Sequence, residues 1–164
     1  MPIALKTLLI NTIITGAMVL SGNQALAQKV TYKNTKFGTT IQFEEGLFTD
    51  TAPLPANGDG ILYTHPDGGS LAVFAYNNAL NLSPKEMAAS VRDLVGDDFS
   101  ITYERIKGNW MVQSGYEGDL IYYQRMEFEA DNIIHGFLMK WPQSLRSKYD
   151  NQVGAIGKSL SGRR

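Results

Sequence analysis

Residues 99–141, FSITYERIKGNWMVQSGYEGDLIYYQRMEFEADNIIHGFLMKW, decide the fold. Four runs in it, 99–106, 109–116, 119–129 and 132–141, are rich in aromatic and β-branched residues, the composition of strands. They are parted by KGN (107–109), YEGD (116–119) and ADN (130–132), where Gly, Asn and Asp supply hairpin turn chemistry. The spacing predicts a four-stranded antiparallel meander.

Working outward, four further strands are expected upstream, at 30–34, 39–43, 61–65 and 70–76. The stretch between, EGLFTDTAPLPANGDG (45–60), holds two prolines and three glycines and reads as a loop. Two helices complete the pattern. In SPKEMAASVRDLVG (83–96), Ser83 is the N-cap, Pro84 sits at the first helical position and Glu86 closes a capping box. Met87, Val91, Leu94 and Val95 form its apolar stripe, and Gly96 ends it. The segment 142–160 places Leu145, Tyr149, Val153, Ile156 and Leu160 on one helical face. Its glycines lower helix propensity, so it needs packing against the sheet. The fold class is α+β: an antiparallel sheet of six to eight strands flanked by helices.

The turn HPDGGS (65–70) presents a histidine beside an aspartate, but its mechanism is that of a corner. Pro66 pre-sets φ, Asp67 bonds local backbone and Gly68 takes positive φ. A strand follows it rather than a helix, unlike a phosphate-cradling loop. His135 is different: Ile133, His135, Phe137, Met139 and Trp141 share one strand face. A histidine on such a face is ordinarily a satisfied core or groove residue; in a cleft it would be an acid–base group tuned by burial. Gly136 beside it signals close backbone approach or a bulge.

With two histidines and no cysteine, the chain lacks the usual zinc sets, and DNIIHG and GDDFS lack the ligand pattern of a calcium loop. No metal and no cofactor is expected. On the 119–129 strand, Leu120, Tyr122, Gln124, Met126 and Phe128 occupy one face. Ile121, Tyr123, Arg125, Glu127 and Glu129 occupy the other, which reads as partly wet. Tyr and Trp with scattered Arg and Met also characterise protein-binding patches. Trp110, Tyr122, Tyr123, Arg125, His135 and Trp141 are accordingly the candidate binding residues.

The N-terminus carries Lys6, an apolar run TLLINTIITGAMVL and the ending ALA at 25–27, the features of a secretory signal peptide. The expected organisation is a signal at 1–27 and a single domain at 28–164. The run is too short and interrupted for a good membrane span, so no membrane association is expected after cleavage. Without Lys6, 14 basic and 16 acidic side chains remain, a near-neutral balance that offers no footprint for nucleic acid. The absence of cysteine excludes disulfides and a lipobox anchor, and 43% hydrophobic residues suffice for an apolar core. A bacterial periplasmic or secreted location fits best.

The order of elements, with GDG (58–60), PDG (66–68), GNWMVQSGYEGDLIYYQR (108–125) and IHGFLMKWP (134–142), resembles small exported bacterial domains similar to the photosystem II extrinsic subunit PsbP. A Ran-binding nuclear transport factor shares that fold. The resemblance implies an α/β/α sandwich and an accessory or binding role; no functional residue carries over from it.

The expectation is a non-enzymatic exported protein that binds a protein or small ligand through its sheet face or the 45–60 loop. A rival is a small periplasmic hydrolase using His135 with Asp119 or Glu127 and a hydroxyl such as Ser114. QSGY (113–116) lacks the first glycine and the strand-to-helix setting of a nucleophile elbow. A third possibility is an envelope structural or stress protein without a discrete pocket.

Overall fold

The computed structural model describes residues 28–53 and 59–162. The expected signal at 1–27 lies outside them, as does 54–58 of the long connection. The elements run β1 (Lys29–Lys33), β2 (Thr40–Glu44), β3 (Asp50–Pro53), β4 (Gly60–Thr64), β5 (Ser70–Asn77), α1 (Pro84–Leu94), β6 (Phe99–Lys107), β7 (Trp110–Glu117), β8 (Leu120–Phe128), β9 (Ile133–Pro142) and α2 (Arg146–Ser159). The meander forms as the turn residues dictate, and its last strand pairs with β5. A seven-stranded antiparallel sheet results, ordered β3-β4-β5-β9-β8-β7-β6, with β1 and β2 as a separate hairpin.

The 45–60 stretch is not wholly irregular. Asp50–Pro53 pairs antiparallel with β4, Pro53 opposite Ile61. Proline is tolerated there because, among the described residues, β3 is an edge strand with no partner beyond it. Leu47 and Phe48, just before it, are buried in the core.

Both faces of the sheet are covered, but at opposite ends. On one face α2 and the β1–β2 hairpin seal a cluster that includes Ile41, Phe43, Leu71, Val73, Phe137, Met139, Trp141, Tyr149 and Ile156. The other face carries a smaller cluster of Ala88, Met111, Met126 and Ile134 under α1, which contacts β6 and β7. Strand β8 therefore buries Ile121 on one side and Tyr122 and Met126 on the other. The expected division into one oily and one wet face of β8 is corrected accordingly: the face bearing Arg125 and Glu127 also faces the larger core.

Helix α1 starts with the expected box: Glu86 N–H donates to Ser83 Oγ at 3.3 Å and Ser83 N–H to Glu86 Oε2 at 2.8 Å. Its expected stripe is shifted. Ala88 is buried and Leu94 is 81% exposed, because the helix seats through a small residue close to the sheet, where Gln113 Nε2 donates to the Ala88 carbonyl at 2.9 Å. The helix ends at Leu94, with Val95 extended, one residue before Gly96.

Helix α2 buries the expected Tyr149, Val153 and Ile156, with Leu145 and Leu160 packed at its ends. Its position is fixed from the PDG corner. His65 N–H donates to Gly69 O at 2.9 Å and Gly68 takes φ +96°, closing the turn. Within it, Asp67 Oδ1 accepts from Gly69 N–H at 2.9 Å and from the Tyr149 hydroxyl at 2.8 Å, while Lys148 Nζ reaches Oδ2 at 2.7 Å. Gly69 makes room for the phenol: a Cβ there would lie 2.0 Å from the Tyr149 oxygen. Burial alone would raise the Asp67 pKa. The hydrogen bonds from Lys148, Gly69, Tyr149 and His65 outweigh it and hold the carboxyl far below its usual range. Burial, with the Asp67 bond and charge, pushes the Tyr149 phenol well up. The far end of α2 is tied to the hairpin, where Gln42 N–H donates to Ser159 Oγ at 2.8 Å and Thr40 and Ser161 exchange backbone bonds.

His135 is 1% exposed, with Nδ1 2.8 Å from Thr39 Oγ1 and Nε2 against Gly162. Gly136 beside it is required: a Cβ would lie 2.5 Å from the Phe74 ring. Burial lowers the His135 pKa below 6.5, against the opposing charges of Glu129, Asp131 and Glu127.

Asp67→Ala leaves the buried Tyr149 hydroxyl without its acceptor and should cost about 2–3 kcal/mol. Tyr149→Phe, which leaves Asp67 with its bonds from Gly69 and Lys148, should cost about 1 kcal/mol. Denaturant unfolding of the two single variants and the double variant checks this; fully additive losses would contradict the clamp.

His135 and Asp67 both shape the acid side of stability. The unfolded chain binds a proton at His135 below pH 6.5 that the fold refuses, so stability should fall as pH drops from 6.5. Asp67 stays ionised in the fold, so its contribution, full above 3.8, should be lost as pH falls further. Midpoints measured from pH 7 down should show a first decline that His135→Gln removes and a steeper acid limb that Asp67→Asn reduces, the rest coming from carboxylates such as Glu104, whose bond from Gln113 also lowers its pKa.

Candidate functional site

Because α2 lies toward β9 and β8, the same face of β6 and of β7 on either side of the buried Val112 stays at least partly open. The antiparallel register places Trp110 opposite Glu127, Val112 opposite Arg125, Ser114 opposite Tyr123 and Tyr116 opposite Ile121 on that face. On β6, Tyr103, Arg105 and Lys107 pair with Ser114, Val112 and Trp110 and share it. Gly108, at φ +56°, makes the tight turn that brings Trp110 back beside Lys107.

Trp110 is flanked by two guanidinium groups, with Arg125 at 4.6 Å from its ring centroid and Arg105 at 5.7 Å. Cations at these distances are attracted by the negative ring face. Arg125 is held by a fork of bonds to Glu127 Oε1, 2.9 Å from Nε and 2.7 Å from Nη2. Its stem passes α2 at Gly157. The open face is thus a rigid aromatic and cationic surface.

Beside it, where α2 begins, a cleft of about 350 Å³ is walled by Tyr116, Ile121, Tyr123, Trp141 and Val153, with Thr102, Ser114, Arg146 and Asp150 at its polar edges. Tyr123 stacks on Phe137 at 5.8 Å, and burial raises its phenol pKa despite the nearby Arg125. Arg146 donates to the Tyr116 hydroxyl at 3.0 Å, and Trp141 Nε1–H donates to Asp150 Oδ1 at 3.1 Å. The volume and mixed lining fall within the usual range of ligand pockets.

Of the six residues singled out in the sequence, Trp110, Tyr123 and Arg125 come together on this surface. Trp141 is 2% exposed and forms part of the cleft wall. Tyr122 is buried on the opposite face, 5.6 Å from the Phe99 ring, and His135 lies in the core beneath the hairpin. Tyr103, Arg105, Tyr116 and Arg146 join the surface without having been singled out. The alternation of Tyr103, Arg105 and Lys107 along one strand was the available signal for the first two. Arg146 had none, since only the docking of α2 brings it to the cleft.

The arrangement suits binding. The Ser114 hydroxyl donates to the Tyr122 carbonyl at 2.7 Å, Glu127 is engaged by Arg125, and His135 does not line the cleft. Asp119 borders a separate hollow with Pro142, Gln143 and Ser144. Glu127 and His135 are direct cross-strand partners, but His135 is buried and Ser114 pairs with Tyr123, four residues back along β8 from Glu127. Among the described residues no three histidine, aspartate or glutamate side chains converge as a metal site, and no helix is long and apolar enough to cross a membrane.

A comparison with protein-family models finds no match, and neither does a comparison with curated proteins. Among solved structures, the chain is similar to the solution structure of cyanobacterial PsbP (CyanoP) from Synechocystis. The TM-score is 0.61 at 11% identity, covering 90% of this chain and all of the other. The likeness is one of architecture, and it establishes that this chain has a PsbP-like α+β fold.

Proposed function

We propose that this protein is an exported, non-enzymatic accessory protein that binds a partner protein through the open β6–β8 face. The observation that carries the reading is the Arg105–Trp110–Arg125 stack. A half-buried tryptophan with two guanidinium groups over its ring has no evident role in the core, and Trp and Arg are among the residues most enriched where binding energy concentrates. The adjoining cleft would receive a side chain of the partner. A non-catalytic role is also consistent with the burial of His135 and with the separation of Ser114 from the Glu127–His135 pair.

Export rests on the features of residues 1–27, and the periplasm is the location we propose. Expression of the full chain in a bacterium should give a periplasmic product whose N-terminus, read by mass spectrometry, lies near Gln28. A cytoplasmic, unprocessed product would refute the location.

Binding is tested with the protein crosslinked to its partner in periplasmic extract of the source bacterium. Trp110→Ala should weaken capture by about 30-fold or more, the scale of a hot spot, and Arg125→Ala should do likewise. The melting temperature should fall by no more than about 4 °C for Trp110→Ala. Trp141→Ala, by contrast, should cost about 3–5 kcal/mol of stability, since that ring is core. Undiminished capture by both surface variants would end the reading.

A further inference from the structure

Among the described residues, strand β6 is the outer strand of the seven-stranded sheet, paired only with β7. It is nine residues long, and every residue from Thr102 to Lys107 is exposed. Such an edge presents alternate N–H and C=O groups with no ladder partner, the template on which an added strand can pair. The opposite edge is short and ends in Pro53, which cannot donate.

The side chains along β6 specify what could pair there. On the open face, Tyr103, Arg105 and Lys107 alternate, and neither Arg105 nor Lys107 has an ion-pair partner among the described residues. Arg105 is instead held against Trp110. The one acid of the strand, Glu104, points to the other face, where it pairs with Arg92 and accepts from Gln113 Nε2 at 2.8 Å. It cannot neutralise its neighbours.

We propose that β6 accepts an acidic, extended segment of a partner protein as an eighth strand. Carboxylates two residues apart would face Arg105 and Lys107, and an apolar or aromatic side chain would lie over Tyr103. Residues directly opposite in an added strand share a face, so acids at alternate positions meet both cations while the intervening residues turn to the Ile106 side. A second copy of this chain does not meet the requirement. The residues of β6 on the open face between Tyr103 and Lys107 include no acid, so β6 against β6 leaves both cations uncompensated. The proposal rests on the reading that the Trp110 face receives a protein, and adds the chemistry and backbone geometry of what it receives.

The probe is a synthetic peptide of about ten residues in which glutamate alternates with valine and tyrosine, long enough to span the exposed edge. The control has the same composition with its glutamates in one block. The alternating peptide should bind at least about tenfold more tightly than the block peptide, as expected for two cross-strand charge pairs and a ladder. Binding should weaken with salt. It should fall about 30-fold or more in Arg105→Glu/Lys107→Glu, whose exposed positions leave the fold intact. Hydrogen exchange should show new protection of β6 backbone amides when the alternating peptide is bound.

Equal affinity for both peptides, or binding without protection of β6 amides, would overturn the proposal, since attraction would then be electrostatic alone. No binding of either peptide would overturn it too, leaving the edge cations as a guard against aggregation. So would a dimer in sedimentation whose formation protects β6. If neither peptide binds while Trp110→Ala still loses its partner, only the added-strand proposal fails. If Trp110→Ala keeps its partner, the broader reading fails.

Discussion

The carboxylate of Asp67 ties a surface corner to a helix more than eighty residues away. It accepts from the Tyr149 hydroxyl and from Lys148, and Gly69, two residues on, leaves the space the phenol fills. Helix α2 depends on such contacts. It contains Gly154 and Gly157, begins without a side-chain cap and gains its order from the sheet beneath it. Where the clamp sets this helix, the larger core closes. Where the helix stops, the sheet is left open.

That placement explains the uneven coating of the sheet. The α2 face is sealed over β5, β9 and β8 by the helix and the hairpin, and the α1 face is sealed over β7 and β6. Each helix covers the part of the sheet that the other leaves bare on its own side. A staggered arrangement of this kind buries the centre of the sheet on both faces, and it leaves β6 and the start of β7 open on the α2 side. The Trp110 stack and the cleft both sit on the boundary of that opening, which is why they combine buried aromatic area with accessible cations.

Much of this was legible in the chain itself. Turn residues between the 99–141 runs fixed four hairpin-linked strands, and the Ser83–Glu86 box fixed a helix start, because both are local signals. His135 was readable as a core residue from its apolar strand neighbours, as was the need for glycine beside it. The candidate surface was only half legible. Trp110, Tyr123 and Arg125 meet on it, but Tyr122 is turned away and His135 and Trp141 are enclosed. Alternation along a strand tells which residues share a face, and is silent on which part of that face a distant helix will cover. The same gap hid β3, whose pairing with β4 overrides a proline-rich composition.

The sequence alone determined the antiparallel meander, the limits of the first helix to within a residue or two and the corner at Pro66–Gly68, since each follows from backbone preferences of neighbouring residues; the second helix starts at Arg146, four residues after the expected segment begins. Only the tertiary structure decided that Asp67 is an anchor rather than a turn residue alone. It also decided that β9 joins β5 and that Arg105 and Arg125 both reach one indole ring. Those outcomes require groups far apart in the chain to meet, and no local preference encodes the meeting.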